Sequence, residues 1–460
     1  MVKRVSMRFT GSRLIAISSL LIAAVAAAAT RPRYGGTLHV QMAGTLDSMD
    51  PADGSQRGTL AARNLLDLIF DTLVALDDRG QPQPALAISW LAEAGNQRWQ
   101  FVLRPGVTFS DGTPLTPEVV AGSLRRANPA WKVTARENAV IIQVDPASLD
   151  LPAELALPRN SIVTLEAGKV LGTGPFVVSQ WDPGKKLAMA ARNDYWGGRP
   201  FLDSVEIEMG KDTREQTIAY QLGQSQVIEI PAGQVGHAND PGPLRVSEPI
   251  ELVALLFARD VQSPEETKQR QILALSIDRD LLNRVVLQGG GQPAGGLLPD
   301  WLSGYAFLFP VSADLTHAQQ LRAEVPQAPL WSLGYDRSDP LERVLAERIV
   351  LNAGDAGLRL QLATTNTPDV RLVRVDLTSL DAQVALSELA SSMGLPAPHF
   401  LGHSSDDLYH AENAMVQSER VLPLLHLRTA WAVSKTVRNW HDSRDGAWRL
   451  PNVWLAPGRP

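Results

Sequence analysis

The stretch from residue 171 to residue 207 constrains the fold more than any other part of the chain. Residues 176–181 are rich in β-branched and aromatic side chains, which predicts a half-buried strand. Asp182-Pro183-Gly184 predicts a tight turn, because proline presets φ and glycine tolerates positive φ. Residues 186–191 can return as the paired strand, and Val205 and Ile207 alternate with glutamates as in a strand with one solvated face. The stretch therefore predicts sheet, and most of its residues are expected to be scaffold.

Helix signals alternate with strand signals along the rest of the chain. Thr116, Ser263 and Asp339 each precede a proline and are followed within three residues by a glutamate, which is typical of a helix N-terminus. Residues 252–257 form a continuous apolar run, which predicts a strand buried on both faces. Strands that alternate with helices indicate an α/β protein.

Residues 1–29 are predicted to form a cleavable secretory signal. They contain four basic residues, a short apolar core over 14–25 and three alanines at 27–29 that fit the cleavage rule. The rest of the 460-residue chain exceeds the length at which one core usually stops growing, so two lobes are expected. The chain has no cysteine, which excludes a lipid anchor on cysteine, disulfides and thiolate sites. Without the four basic signal residues, 39 basic residues face 49 acidic ones, which argues against a nucleic-acid partner.

Six short motifs occur along the chain in an order that indicates a family resemblance. They are YGGTL at 34–38, DTLV at 71–74, FVLRPGVTFSDGTPL at 101–115, GTGPF at 172–176, NDYWGG at 193–198 and LSIDR at 275–279. In this order they resemble the extracytoplasmic solute-binding proteins of the peptide/nickel ABC importers, known as solute-binding family 5. The resemblance is strong from about residue 34 to residue 300 and patchy after residue 420.

The resemblance implies a two-lobed α/β clamshell of the type II-like periplasmic binding proteins, with mixed sheets flanked by helices. Lobe 1 is then expected over 30–240 plus 421–460, with a reduced extra subdomain around 50–160, and lobe 2 over 241–420. The resemblance also implies a monomeric periplasmic protein without a cofactor. Such a protein captures a peptide or similar small polar solute by hinge closure and delivers it to an ABC permease of the inner membrane.

The ligand is expected to contact the ends of strands, where ligands of α/β sheets bind. This places candidate contacts after the first strand and at the end of the apolar run. Two loop tryptophans of the second lobe could stack on the ligand, although packing in the core explains them as well. The candidates are Met42, Ala43, Gly44, Thr45, Leu256, Phe257, Ala258, Trp301 and Trp331.

Other functions are weaker alternatives. His399, His403 and His410 could hold nickel or a metal chelate, but their spacing matches no zinc motif and surface histidines explain it better. The acidic loop by which peptide-binding relatives hold an amino terminus is not found between residues 379 and 407. This favours, as a rival hypothesis, a degenerate member that acts as a ligand sensor or interaction module. No nucleophile elbow, metalloprotease motif or cysteine nucleophile occurs, so an enzyme is not expected.

Overall fold

Up to residue 171, the described residues form nine short strands and three α-helices. The computed structural model describes residues 31–54, 59–148, 150–166, 169–237, 243–304 and 309–457, so the predicted signal lies outside the described residues. The elements up to residue 171 are β1 (Thr37–Gln41), α1 (Leu60–Leu66), β2 (Val74–Leu76), β3 (Pro82–Pro84), β4 (Ala87–Ala92), β5 (Arg98–Leu103), α2 (Pro117–Ala127), β6 (Lys132–Arg136), β7 (Ala139–Gln143), α3 (Leu151–Glu154), β8 (Thr164–Glu166) and β9 (Lys169–Leu171).

The middle of the chain begins with the predicted hairpin and ends in a helical region. Its elements are β10 (Phe176–Asp182), β11 (Lys186–Ala191), β12 (Ser204–Glu208), α4 (Thr213–Gln221), β13 (Val227–Ile230), β14 (Leu244–Phe257), α5 (Pro264–Ser276), α6 (Arg279–Leu281), β15 (Gly291–Pro293) and α7 (Asp300–Ser303). The hairpin prediction is confirmed, and Gly184 in its turn has a φ of +69°. In β12, Val205 and Ile207 are buried on one face, as their alternation predicts.

The last third returns the chain to the sheet. Its elements are α8 (Leu315–Ala323), β16 (Leu330–Gly334), α9 (Pro340–Asp355), β17 (Arg359–Leu362), β18 (Val370–Asp376), α10 (Ala382–Ser392), α11 (Ser405–Gln417), β19 (Val421–Val433), β20 (Val437–Arg438) and β21 (Trp454–Leu455). The predicted helix starts are confirmed, because Thr116, Ser263 and Asp339 each accept a backbone N–H from the first turn of their helix. Each cap satisfies a donor that would otherwise have no partner.

One mixed sheet runs through the molecule. Among the described residues its strand order is β10-β11-β12-β1-β13-β19-β14-β18-β16-β17, with β15 beside β19. The long strands β14 and β19 pair antiparallel along almost their whole length. β19 pairs with β13 at its C-terminal end, and β14 pairs with β18 at its C-terminal end. We call the half of the sheet that contains β10–β13 lobe 1, and the half that contains β16–β18 lobe 2.

Each region has its own hydrophobic core. One core packs on the lobe 1 sheet, and two others cover the lobe 2 sheet. A smaller sheet of order β4-β5-β7-β6 forms a further core with α2. Ala153 and Leu157, which follow this smaller sheet, contact Val384 of lobe 2, so a small apolar cluster crosses from one lobe to the other.

Candidate functional site

The two lobes contact each other through polar groups on facing elements. The N–H of Leu60, at the start of α1, donates to Oδ2 of Asp376, at the end of β18, over 2.6 Å. Arg159 forms an ion pair with Glu388 of α10. These contacts define a lobe interface beside the end of β18 and α10.

A cavity of about 330 Å³ lies at this interface, and we call it the interlobe cavity. Lobe 1 contributes the segment after α1, the aromatic loop after β11 and the segment before β21, and lobe 2 contributes the loop after β18. Its lining includes Asp67, Asp71, Tyr195, Trp196, Trp448, Thr378, Ser379 and Leu380. A smaller void of about 40 Å³ adjoins it, and Arg63 and Thr378 line both spaces. The larger space has the size typical of a small-molecule site.

Three residues that line the interlobe cavity each have a buried polar atom without a hydrogen-bond partner among the described residues. They are Nε of Arg63 and Nε1 of Trp448 in lobe 1, and Oγ1 of Thr378 in lobe 2. The other end of the Arg63 guanidinium is occupied, since Nη2 donates to the carbonyl oxygen of Asp445 over 2.6 Å and lies 3.2 Å from its carboxylate. A buried polar group without a partner costs free energy that a ligand could recover.

Asp67 adds a carboxylate that is open to the interlobe cavity. Its side chain is exposed, and no side-chain hydrogen bond to it occurs among the described residues. The surrounding protein keeps much of the solvent away from this carboxylate, and this desolvation raises the pKa of Asp67 to about 6. The cations Arg63 and Arg449 act in the opposite direction. The interlobe cavity therefore offers an acceptor beside these three buried groups.

A cluster of carboxylates lies where β14 pairs with the end of β18. Arg374 of β18 pairs with Glu251 of β14, with 2.6 Å between Nε and Oε1, and with Asp339. Burial raises the pKa of Asp376 to about 7, and the negative charge of Glu251 adds to that shift. On the lobe 1 side, Oε2 of Glu229 accepts the N–H of Ala43 over 2.8 Å. The interface thus carries more acidic than basic groups.

The first group of predicted contacts lies on the lobe 1 side of this cluster. Met42 is core, with 2% of its surface exposed. Ala43 and Gly44 direct their backbone N–H groups to Glu229, and Thr45 is exposed. Gly44 is packed closely enough that a Cβ there would lie 2.8 Å from Cβ of Ala61. Backbone groups therefore carry the polar character of this loop.

The second group lies at the far end of β14. Leu256, Phe257 and Ala258 begin five residues beyond Glu251, or about 17 Å along a strand. Phe257 packs in the lobe 2 core, with its ring centroid 5.4 Å from that of Trp331, which is 8% exposed. These four residues are not brought together with residues 42–45, and as ligand contacts they stay predictions.

The prediction that both tryptophans lie in loops is wrong, because Trp301 lies in α7 and Trp331 lies in β16. Nε1 of Trp301 donates to the carbonyl oxygen of Pro249 in β14 over 2.7 Å. The guanidinium of Arg444, from the segment after β20, lies 4.6 Å from its ring centroid. Trp301 thus ties α7 to the region where β14 passes between the lobes.

Sequence reasoning missed the aromatic pair Tyr195 and Trp196, which it assigned to scaffold. Both line the interlobe cavity, and both donate to the half-buried carboxylate of Asp71, from the Tyr195 hydroxyl over 3.1 Å and from the Trp196 Nε1 over 2.8 Å. Arg104 covers the Trp196 ring at 4.5 Å. The only available signal was the aromatic pair itself in a loop after a strand.

The predicted histidine cluster is spread over the surface. His403 pairs with Asp150, with 3.3 Å between Nδ1 and Oδ1, and His410 pairs with Asp406 on its own helix. Across the described ranges, no group of three or more histidine, cysteine or acidic side chains is placed to hold a metal ion.

Comparison with known proteins decides the family. A family model for bacterial extracellular solute-binding proteins, family 5 Middle, matches residues 81–405. The chain belongs to this family. Its members are substrate-binding proteins, and the resemblance stated from the motifs is confirmed. No helix in the described part of this family 5 chain is long and apolar enough to cross a membrane.

Known relatives support the fold over nearly the whole described chain. The chain is 26% identical over 343 residues to the probable deoxycholate-binding periplasmic protein YgiS of Escherichia coli. The aligned region covers 65% of this chain and 62% of that protein. The crystal structure of NikA from Staphylococcus aureus with Ni(L-His)2 matches with a TM-score of 0.78 at 16% identity, over 91% of this chain and 99% of that one.

The peptide-bound DppA of Helicobacter pylori matches equally well. Its TM-score is 0.78 at 18% identity, over 93% of this chain and 99% of that one. These likenesses confirm the predicted two-lobed α/β fold. In sequence, the chain spans 32%, 62% and 49% of the first three curated relatives that it matches.

Proposed function

We propose that this protein is the periplasmic substrate-binding component of an ABC importer. It captures a peptide or similar small polar solute between its two lobes and presents it to a permease of the inner membrane. The protein acts as a secreted monomer and performs no chemistry on its ligand. Its membership of family 5 supports this proposal.

One observation carries the proposal: the interlobe cavity holds unpaired polar groups from both lobes. Nε of Arg63 is a free donor on lobe 1, and Oγ1 of Thr378 is a free hydroxyl on lobe 2. A solute that bonds to both gains contacts only when the lobes are together. A ligand shifts a conformational equilibrium by its differential affinity for the two states, so such a solute favours the closed form.

The aromatic walls and the carboxylate indicate which solutes suit the site. Tyr195, Trp196 and Trp448 supply apolar surface, and Asp67 supplies an acceptor. A compact solute with both donors and acceptors on an apolar frame, such as a short peptide, complements this lining. We include Ala43 and Gly44 at the margin of the site through their backbone, beside Glu229.

We further propose a hinge within β14 and β19. The pairing of these strands is irregular at Val246, Pro249 and Glu251, between the part that adjoins β13 and the part that adjoins β18. Irregular pairing is a point at which a sheet can bend. The predicted lobe limits at residues 240 and 420 would then lie on either side of this hinge.

The direct test is a thermal-shift screen with short peptides, amino acids, sugars and metal chelates. A solute at one hundred times its dissociation constant should stabilise the protein by about 2.7 kcal/mol, because it binds the folded state alone. If no solute of these classes shifts the melting temperature, the importer proposal fails.

Thr378→Val then locates the site. Valine keeps the shape of threonine but removes the unpaired hydroxyl, so affinity for the solute should fall roughly 5- to 10-fold, the equivalent of one hydrogen bond. The melting temperature without ligand should stay the same or rise, because the hydroxyl has no partner there. Thr365→Val, at an exposed position of lobe 2, is the matched control and should change neither value. Equal affinity in wild type and Thr378→Val would contradict a site at this cavity.

A further inference from the structure

A second cavity lies inside lobe 2, away from the lobe interface. It measures about 360 Å³ and is bounded by α5, α8, the segment before α8, the end of α11 and the start of β19. Its walls are mostly apolar and include Phe257, Leu275, Leu321 and Leu422. None of its lining residues lines the interlobe cavity, so we treat it as a separate space, the lobe 2 cavity.

The lobe 2 cavity contains a buried cation without an anionic partner. Arg279 is 4% exposed, and no ion pair to it occurs among the described residues. Its Nε donates to the carbonyl oxygen of Pro423 over 3.0 Å, and its Nη1 donates to that of Ala274 over 3.2 Å. Burial lowers the pKa of Arg279 to about 10, so the group remains charged at neutral pH.

The bonds of Arg279 to the backbone leave one nitrogen spare. Nη2 donates to no acceptor among the described residues, although Nε and Nη1 already tie the end of α5 to β19. A buried guanidinium is costly without an anion, and its planar fork suits a carboxylate. The spare nitrogen therefore points to an anionic group as the missing partner.

The same cavity has a spare acceptor. Glu419 accepts Nε2 of Gln271 at Oε1 over 2.9 Å, but its Oε2 is buried and has no donor among the described residues. Arg270 also lines the cavity, but its guanidinium already pairs with Glu266, with 2.6 Å between Nη2 and Oε1. A purely anionic ligand would therefore still be repelled by the Glu419 carboxylate. A ligand that also carries a cationic donor would satisfy it.

We propose that lobe 2 binds an apolar amino acid as its zwitterion in this cavity. The carboxylate of the ligand pairs with Nη2 of Arg279, its ammonium group faces Glu419, and its side chain contacts the apolar walls. This site is independent of the interlobe cavity, so the protein can hold both ligands together.

Calorimetric titration with L-leucine tests the proposal. Two analogues serve as probes: 4-methylpentanoate, which lacks the ammonium group, and 3-methylbutylamine, which lacks the carboxylate. Leucine should bind, and each analogue should bind at least ten-fold more weakly, because each leaves either Arg279 or Glu419 without its partner on the ligand. If leucine, isoleucine and methionine all fail to bind the wild-type protein, the proposal is overturned.

Variants separate this site from the interlobe cavity. Ala274→Phe fills the lobe 2 cavity from α5 and should reduce leucine affinity at least ten-fold with an unchanged circular dichroism spectrum. Arg279→Lys keeps the charge but lacks Nη2, and it should weaken leucine binding to a similar extent. Thr378→Val should leave leucine binding unchanged. Equal binding by wild type and Ala274→Phe, or loss of leucine binding in Thr378→Val, would overturn the assignment to this cavity.

Discussion

Gly172 and Gly174 are required because two backbones approach closely at these residues. A Cβ on Gly172 would lie 2.2 Å from the carbonyl oxygen of Ile69, and one on Gly174 would lie 2.4 Å from the carbonyl carbon. We expect Gly174→Ala to lower the free energy of unfolding by about 1–3 kcal/mol through overpacking. The control is Gly122→Ala in α2, where an added Cβ would have no atom within 4 Å. This control should raise the free energy of unfolding by about 0.5–1 kcal/mol. Urea unfolding measures both, and equal midpoints for wild type and Gly174→Ala would contradict the explanation.

Glu412 makes the stability of the protein depend on pH. It is fully buried in α11 and accepts the N–H of Leu298 over 3.0 Å, and burial raises its pKa from 4.5 to about 7. Because the folded-state pKa exceeds the unfolded one, its contribution to stability is complete below pH 4.5 and is lost as the pH rises through 7. Glu412→Gln cannot ionise but keeps an acceptor oxygen. It should be more stable than wild type at pH 8, by up to about 3 kcal/mol, and similar at pH 4.5.

Melting curves between pH 4.5 and pH 8 measure this effect. Glu265 is exposed, so Glu265→Gln is the control, and its melting temperature should follow that of wild type throughout. A constant difference between wild type and Glu412→Gln across this range would show that Glu412 does not titrate as its burial implies.

At the scale of elements, Arg374 joins two strands and a helix. It binds both carboxylate oxygens of Glu251 in β14, and it pairs with Asp339, which caps α9 through the N–H of Leu341 over 2.8 Å. Arg374→Met leaves two partly buried carboxylates without their cation and should lower the free energy of unfolding by about 3 kcal/mol. Arg371→Met, at an exposed position of the same strand, should cost much less. Chemical denaturation compares the two, and equal losses would contradict the role of Arg374.

The elements also show what the sequence could predict. The hairpin β10–β11 and the cap at Asp339 depend on residues a few positions apart, so local patterns were sufficient to predict them. The pairing of Asp339 with Arg374 joins residues 35 positions apart, and the full length of β14 depends on pairing with β19, so neither was predicted. The interlobe cavity was missed for the same reason, since Tyr195 and Trp196 line it only where residues 378–380 of the other lobe face them.

At the scale of the whole molecule, the lobes are joined covalently and by contacts across their interface. β14 and β19 run through both lobes. Their pairing is irregular at Pro249, between the part of the strands in lobe 1 and the part in lobe 2. Across the interface, Leu60 contacts Asp376, Arg159 pairs with Glu388, and His403 pairs with Asp150. If the proposed hinge operates, these contacts oppose its opening, and their combined strength would set how often the unliganded protein is closed.

The ion pair between Arg159 and Glu388 offers the clearest test of that balance. Both side chains are 17% exposed, so the pair is less screened by solvent than a surface pair. Glu388→Gln removes the charge without changing shape, and it should shift the unliganded protein towards the open form. Small-angle X-ray scattering should then show a larger radius of gyration, and solute affinity should fall in proportion to the closed fraction that is lost.

The matched control is Glu347→Gln, which breaks an exposed ion pair inside α9, with 3.0 Å between Nε of Arg343 and Oε1 of Glu347. This control should leave both the scattering curve and the solute affinity unchanged. The two variants remove the same charge from the same lobe, so a difference between them reports the lobe interface and not the net charge. If Glu388→Gln scatters as wild type does without ligand, this ion pair does not hold the lobes together. The unliganded closed form would then depend on the apolar contacts of Val384 with Ala153 and Leu157.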